Sequence, residues 1–299
     1  MFSHDSVQIN NKTIAYDTQY NDRDLISVIF LCYNTGMIHK PKKMIVANWK
    51  MNVTSEKDAV GLFNAIKNVV AKLEYTQMIC CPPHMYVNQV ADQVTHKNYR
   101  VGGQDAYPIE SGSRTGETSV LMMKNAGSEY VILGHSERRH LETKSDVARK
   151  VTAVLEHGMV PIICIGEENR DKNWKKNLKQ QLRDVFNRVP KKNPEEIIVA
   201  YEPIWAISSD KKNPATSTEY MEAYEVITEE LKKIFKTVSA VSKLRFLYGG
   251  SLDDKNIEDF LKNAEVDGFL VGRVSHDPRI LMTMFRLIED HVHKQTLTS

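Results

Sequence analysis

The chain has 299 residues, of which 41% are hydrophobic and 8% aromatic, so it can bury the core of one large domain or two ordinary ones. The 40 lysines and arginines against 38 aspartates and glutamates leave a formal charge of +2, which gives no electrostatic footprint for nucleic acid. The only candidate targeting segment, Leu25 to Cys32, is too short to span a bilayer and follows acidic residues, so we expect no membrane role.

Residues 1–43 differ in character from the rest of the chain. They are rich in Asn, Asp, Thr and Tyr, lack helical periodicity and end in the basic stretch Lys40-Pro41-Lys42-Lys43. We interpret them as an N-terminal extension that is poorly ordered or precedes the functional start, because Met37 and Met44 could each begin the folded part. Residues 44–299 are then close in length to the roughly 250 residues of a single β/α barrel.

From Met44 onward, short β-branched runs alternate with segments that are mostly long enough for a helix. Eight runs are predicted to be strands: 44–47, 77–81, 99–102, 130–133, 160–165, 197–200, 244–248 and 268–271. Helical spacing is clearest from Met221 to Ile234, after a capping box formed by Thr216 and Glu219. Other helices are predicted at 146–157, at 177–189 and after Pro278.

Eight strands, each followed by a helix, predict an α/β fold in which a parallel sheet closes on itself as a (β/α)8 barrel. A doubly wound open sheet is the alternative. It would more often carry a glycine-rich turn after its first strand, where this chain has Asn48-Trp49-Lys50-Met51-Asn52.

The four cysteines indicate the redox environment. Cys32, Cys80, Cys81 and Cys164 form no C-x-x-C pair and have no zinc-ligand spacing. Cys80 and Cys164 lie inside apolar runs, which indicates buried reduced thiols. We therefore expect a cytoplasmic protein without a metal site.

Polar residues follow most of the predicted strands, where the active site of a β/α barrel lies. They are Asn48, Lys50, Gln104, His135 with Ser136-Glu137-Arg138-Arg139, Glu167, Glu202, Gly249-Gly250-Ser251 and Gly272-Arg273. Each one alone is equally well explained as an ordinary loop residue. Together they indicate one catalytic edge.

Glu202 is the strongest candidate in this set. It ends an apolar strand immediately before Pro203, which cannot continue the strand, and the polar stretch 208–214 behind it has the character of a mobile loop. A carboxylate in this position is suited to act as a general base that the loop covers.

Glycines after the last two strands indicate a phosphate site. In Tyr248-Gly249-Gly250-Ser251 and Val271-Gly272 they would let backbone amides approach an anion, and barrels often bind phosphate at this place. Tight turns that need glycine are the alternative explanation. Lys50, across the mouth of the barrel, would add a positive charge.

Five motifs in this chain resemble, in order and spacing, those of the triosephosphate isomerase family. They are Asn48-Trp49-Lys50-Met51-Asn52, Gly134-His135-Ser136-Glu137-Arg138-Arg139, Cys164-Ile165-Gly166-Glu167, Ala200-Tyr201-Glu202-Pro203-Ile204-Trp205-Ala206-Ile207 and Tyr248-Gly249-Gly250-Ser251. The resemblance covers residues 44–296 and leaves residues 1–43 without a counterpart.

The resemblance implies a TIM-barrel isomerase of glycolysis and gluconeogenesis. It would interconvert dihydroxyacetone phosphate and D-glyceraldehyde 3-phosphate through an enediol(ate), without metal or organic cofactor. Glu202 would be the base. His135 would be the electrophile, kept neutral by the dipole of a helix that Ser136 and Glu137 open.

The remaining roles follow from the same resemblance. Lys50 and Asn48 would hold the substrate and stabilise negative charge, and Glu137 would pair with Lys50. The phosphate would be bound by Ser208, Ser251 and Gly272, with Arg273 beside them. The loop at 105–117 would insert into a second subunit, with Thr115 at its tip, giving a homodimer.

Three departures from the family pattern leave alternatives open. The lid segment 208–214 lacks the usual Gly-Thr-Gly-Lys, Arg273 replaces a second glycine, and Arg114 replaces an aromatic residue. An altered lid with a Gly-Arg pair resembles the family branch that isomerises tetrulose phosphates such as erythrulose phosphate. A barrel that has lost activity is a further alternative, although its retention of both Glu202 and His135 would have no physical reason.

Overall fold

The computed structural model describes residues 4–9, 12–17, 43–190, 196–207, 214–263 and 265–298. The chain divides into two compact units, of which the larger is Lys43–Val292. The functional residues considered below all belong to this larger unit.

A β-hairpin lies in the smaller unit. Strand β1 (His4–Ile9) pairs antiparallel with β2 (Lys12–Asp17), and Val7 is opposite Ile14. The sequence analysis predicted no strand before Met44. The signal that it missed is a short period-two alternation, Val7 and Ile9 followed by Ile14 and Tyr16, on either side of two asparagines.

Eight parallel strands form a closed barrel in the larger unit, with β10 paired to β3. The strands are β3 (Lys43–Asn48), β4 (Thr76–Cys81), β5 (Tyr99–Gly103), β6 (Tyr130–Leu133), β7 (Val160–Ile165), β8 (Ile198–Tyr201), β9 (Arg245–Tyr248) and β10 (Gly268–Val271). Because the sheet is closed, the prediction of a (β/α)8 barrel is confirmed and the alternative of an open sheet is excluded. Every barrel strand begins and ends within one residue of its predicted bounds.

Helices lie between the barrel strands. Those described are α1 (Glu56–Val70), α2 (Val87–Ala91), α3 (Val120–Asn125), α4 (Lys144–Glu156), α5 (Trp174–Phe186), α6 (Ile204–Ile207), α7 (Ser217–Phe235), α8 (Val238–Val241), α9 (Ile257–Leu261) and α10 (Pro278–Thr298). The predicted capping box is confirmed at the start of α7, where the Thr216 and Glu219 side chains each accept a hydrogen bond from the other's backbone N–H. Helix α5 begins three residues before its predicted start, because the buried Trp174 belongs to its first turn.

Successive side chains of each strand belong alternately to two apolar layers, and this alternation determines the direction in which the site residues point. Met44 and Val46 belong to the cluster inside the barrel, whereas Ile45 belongs to the layer between strands and helices. Asn48 continues the inward phase of β3. In β8, Ile198 and Ala200 face inward, and Glu202 follows in the same phase. Both polar side chains are therefore directed to the mouth of the barrel interior.

A buried ionic network joins the loops after β5 and β6 to α4. Lys150 on α4 has a side chain only 7% exposed, and its Nζ lies 2.8 Å from an Asp105 carboxylate oxygen. The same ammonium contacts Glu142, and Arg138 Nη2 lies 2.7 Å from Asp105 Oδ2. Because each buried charge faces an opposite one, the network is compensated only while all of its members are present.

Candidate active site

A cavity of about 630 Å³ opens at the C-terminal ends of the barrel strands. It brings together the predicted site residues Asn48, Lys50, His135, Glu137, Glu202, Ser251, Gly272 and Arg273. Ser208, the remaining predicted phosphate ligand, lies outside the described residues. Gln104 and Glu167 are not among the cavity's lining residues.

Glu202 is held at the base of this cavity by two donors. Its side chain is 2% exposed, and its Oε1 lies 3.0 Å from His135 Nε2. Its Oε2 accepts a hydrogen bond of 2.8 Å from the Ser136 backbone N–H. The candidate base and the candidate electrophile are therefore in direct contact.

The state of His135 is fixed by a single backbone amide. Its Nδ1 accepts a hydrogen bond of 3.2 Å from the Glu137 N–H. Because an amide nitrogen only donates, Nδ1 holds its lone pair and the ring carries its proton at Nε2. The imidazole is thus a neutral donor directed at Glu202.

The helix that the sequence analysis placed after His135 begins at Ser136, as expected, but it is short. Only a short 3-10 helix, Ser136–Arg138, follows His135, which caps it. A single turn adds up few peptide dipoles, so the macrodipole argument does not apply here. Instead, the hydrogen bond from the Glu137 N–H to His135 Nδ1 keeps the imidazole neutral.

Lys50 occupies a strained backbone position with φ of +50°, one of two non-glycine residues with positive φ in the described part of the chain. Its N–H donates to Asn48 Oδ1 at 3.0 Å, and its carbonyl accepts from Gln104 Nε2 at 2.8 Å. Its ammonium lies 2.6 Å from Glu137 Oε1, the ion pair that the sequence analysis predicted. Several contacts together thus maintain a conformation that is costly on its own.

The Lys50 side chain passes against the backbone of Gly272. A Cβ added at Gly272 would lie 2.9 Å from Lys50 Cε, closer than real Cβ contacts. The Lys50 stem therefore runs directly over the backbone at the predicted phosphate site. This places a positive charge beside the amides that follow β10.

Glu167 has a different task from the one that its position after β7 indicated. Its Oε1 accepts hydrogen bonds from Tyr201 Oη at 2.8 Å and from Trp205 Nε1 at 2.9 Å. Arg170 Nε lies 3.3 Å from the same oxygen, and its guanidinium stacks over Trp174 at 4.2 Å. Glu167 therefore fixes the positions of Tyr201 and Trp205, which lie before and after Glu202 in the chain.

Cys164 lies behind the candidate base. Burial raises the pKa of its thiol well above the ordinary value, and the Glu202 carboxylate raises this pKa further. The thiol is therefore a neutral neighbour of Glu202 rather than a nucleophile.

Sequence reasoning missed several residues of the cavity wall. Ile204, Ile207, Leu252, Asp253 and Asn256 line the cavity. Asp253 and Asn256 lie just beyond the motif that ends at Ser251, and Asn256 Nδ2 donates to the Ser251 carbonyl at 3.1 Å. Their only sequence signal is that closeness to a glycine motif, which does not distinguish them from other polar loop residues.

Within the described residues, no group of three or more His, Cys, Asp and Glu side chains could hold a metal ion. No helix in the same part of the chain is both long and apolar enough to cross a bilayer.

Comparison with known proteins identifies the family. The family model described as triosephosphate isomerase matches residues 43–288. The chain belongs to the triosephosphate isomerase family. This confirms the family that the five motifs indicated.

Individual relatives agree with the family match. A triosephosphate isomerase of Rhodopirellula baltica is 38% identical over 77% of this chain and 91% of its own length. Those of Alkaliphilus oremlandii and Aquifex aeolicus are 38% and 34% identical, covering 78% and 79% of this chain and 94% and 96% of theirs. Triosephosphate isomerases are isomerase enzymes that act on small phosphorylated sugars.

Proposed function

We propose that this chain interconverts dihydroxyacetone phosphate and D-glyceraldehyde 3-phosphate, with Glu202 as the base. The observation that carries the proposal is the contact between Glu202 Oε1 and His135 Nε2 at 3.0 Å inside the cavity. A buried carboxylate and a neutral N–H donor are the pair needed to move a proton next to a carbonyl.

The reaction begins when the substrate carbonyl takes the place of Glu202 at His135 Nε2. The freed carboxylate removes a proton from the carbon next to the carbonyl. The electron pair of the broken C–H bond forms a C=C bond, and the π pair of the carbonyl moves onto its oxygen. His135 Nε2–H and the Lys50 ammonium stabilise this oxygen. The neighbouring hydroxyl group then gives its proton to this oxygen, so that the negative charge passes to the second oxygen. Glu202 returns its proton to the former carbonyl carbon, the second oxygen becomes the new carbonyl oxygen, and no electrons leave the substrate.

The phosphate of the substrate lies at the far end of the cavity in this proposal. Backbone amides at Ser251 and Gly272 donate to it, Ser208 adds a further amide, and Lys50 and Arg273 supply positive charge. Asn48 holds the Lys50 turn by accepting the Lys50 N–H at 3.0 Å.

Steady-state turnover of triose phosphate and of erythrulose phosphate by the same preparation tests the substrate. We expect kcat/KM for triose phosphate to exceed that for the tetrulose phosphate. The reverse order would assign the chain to the tetrulose phosphate isomerases. Turnover of neither substrate by well-folded protein would overturn the proposal of an enzyme.

Arg273 is expected to bind the substrate without taking part in chemistry. It lines the cavity, and its side chain makes no hydrogen bond or ion pair with any residue that the structure describes. Replacing Arg273 by Ala should raise KM on the order of tenfold while kcat changes little, because uniform binding is lost. The matched control is Arg279→Ala, since Arg279 is an exposed arginine outside the cavity wall. A fall in kcat with constant KM would contradict this role.

We further propose that the chain forms a homodimer through the loops after β3, β4 and β5. Large apolar side chains are exposed there, with Met51 91% and Met85 76% accessible, and Ile109 joins them. Exposed apolar groups gathered on neighbouring loops favour a protein interface. In the same region, Arg114 Nε donates to Tyr107 Oη at 2.7 Å, which orders the base of the third loop.

Replacing Met51 by Glu should convert the dimer to a monomer and lower activity, because the new carboxylate would be buried against the partner. Sedimentation velocity gives the mass of each species. Val238→Glu, at an equally apolar but distant exposed position on α8, should leave the dimer intact. A fully active wild-type monomer would contradict the proposal.

The domain boundaries and the compartment are also proposals. We infer that residues 44–299 carry the activity and that residues 1–43 are an extension. A reducing compartment such as the cytoplasm is supported by three buried free thiols, those of Cys80, Cys81 and Cys164.

A further inference from the structure

A hydrogen bond joins the turn after β3 to the segment after β10. Asn52 Nδ2 lies 3.2 Å from Nε2 of His276, which ends the 3-10 helix Arg273–His276. The same amide nitrogen donates to the Trp49 carbonyl at 3.1 Å, and the Asn52 backbone N–H lies 3.3 Å from that carbonyl. One side chain therefore both closes the turn 49–52 and anchors it to the neighbouring loop.

Lys50 is inside the turn that this contact closes. Its positive φ is costly, and such a conformation persists only where the surroundings over-determine it. Its stem passes over Gly272, one residue before the helix that carries His276. A shift between the two loops would therefore move the Lys50 ammonium relative to the phosphate site.

We propose that Asn52 and His276 are positioning residues that hold Lys50 over the phosphate end of the cavity. For substrate turnover the inference rests on the proposed function, whereas the conformational effect on Lys50 does not depend on it. Neither side chain belongs to the cavity wall, so they act through Lys50.

The contact requires neutral His276. The Asn52 amide nitrogen can only donate, so His276 Nε2 must accept and cannot carry a proton. Burial lowers the pKa of His276, and the positive charge of Lys50 lowers it further. A hydrogen bond with the Trp49 backbone raises this pKa, but the net shift is downward. The charged groups on its own segment are Arg273 and Asp277. Because this pKa lies below the ordinary value, the contact is present at neutral pH and is lost as the pH falls through it.

Kinetics of four variants test the positioning role. Asn52→Ala and His276→Leu should each lower kcat/KM between about 10-fold and 10²-fold, because a misplaced ammonium no longer meets the substrate. His276→Gln, which keeps an acceptor, should retain most activity. The double variant should lose no more than Asn52→Ala alone, since the contact that His276→Leu breaks is already absent in Asn52→Ala. Single variants with wild-type kcat/KM, or fully additive losses, would overturn the inference.

Hydrogen exchange of the Lys50 amide tests the same inference without turnover. This N–H donates to Asn48 Oδ1, so its protection reports on the turn. After correction for intrinsic exchange, protection should fall in His276→Leu, and in the wild type it should fall as the pH is lowered from neutrality through the depressed pKa of His276. In His276→Gln it should stay constant over that range.

The two measurements separate the inference from the proposed function. Equal protection in the wild type and in His276→Leu at every pH would overturn the inference even if the wild type is active. A wild type without isomerase activity that shows the expected exchange pattern would overturn the proposed function and leave the Lys50 inference standing.

Discussion

Replacing Glu202 by Asp is expected to lower kcat on the order of 10²-fold, since the shorter side chain withdraws the carboxylate by about 1 Å from the reacting carbon. Replacing it by Gln removes the base and should cost on the order of 10²-fold to 10⁴-fold. Initial-rate measurements with triose phosphate in both directions give these values. KM should change less than kcat, because Glu202 acts in the transition state.

A control must separate loss of the base from loss of a buried carboxylate. Glu230 on α7 has a side chain 5% exposed and lies 2.7 Å from Arg183 Nη1, outside the cavity. Glu230→Gln should leave kcat close to the wild-type value. Near-normal kcat in Glu202→Gln would show that another group removes the proton.

Replacing Lys150 by Met is expected to lower the free energy of unfolding by about 3–5 kcal/mol, because it leaves buried carboxylates without their cation. Asp105 and Glu142, whose side chains are 9% and 5% exposed, would then face each other with Arg138 as the arginine that contacts both. Urea unfolding followed by circular dichroism measures the loss.

The matched control for Lys150 is an exposed lysine with an equally close partner. Lys233 lies 2.7 Å from Glu229 on the surface of α7, where water screens the pair. Lys233→Met should change the unfolding midpoint little. Equal destabilisation by the two variants would show that burial of the ammonium is not the cause.

Most of the barrel could be predicted from the sequence because its strands are short, β-branched and separated by helical segments. The runs at 130–133 and 160–165 coincide with β6 and β7 residue for residue. Parallel strands buried on both sides give such continuous apolar runs, which leave little freedom in where a strand begins. The site followed from the same pattern, since the polar residues after these strands meet at one edge.

What the sequence did not predict depends on contacts between distant residues. Asn52 and His276 are 224 positions apart, and neither side chain carries a signal of the other. Glu167 was expected at the site because of its place after β7, but Tyr201 and Trp205 both bind it. The helix after His135 begins where the sequence indicated, but its short extent could not be predicted, because a favourable N-terminal sequence does not determine how far a helix continues.

The contact between Glu202 and His135 has a consequence for selectivity. Because Glu202 Oε1 and His135 Nε2 are in direct contact, the carboxylate can act on a ligand only when that ligand offers another acceptor to His135 Nε2. A phosphate-bearing molecule without a carbonyl can fill the anion end of the cavity and still leave this pair closed. We therefore expect binding and activation to be separate events here, with the phosphate deciding occupancy and the carbonyl deciding whether proton transfer can start.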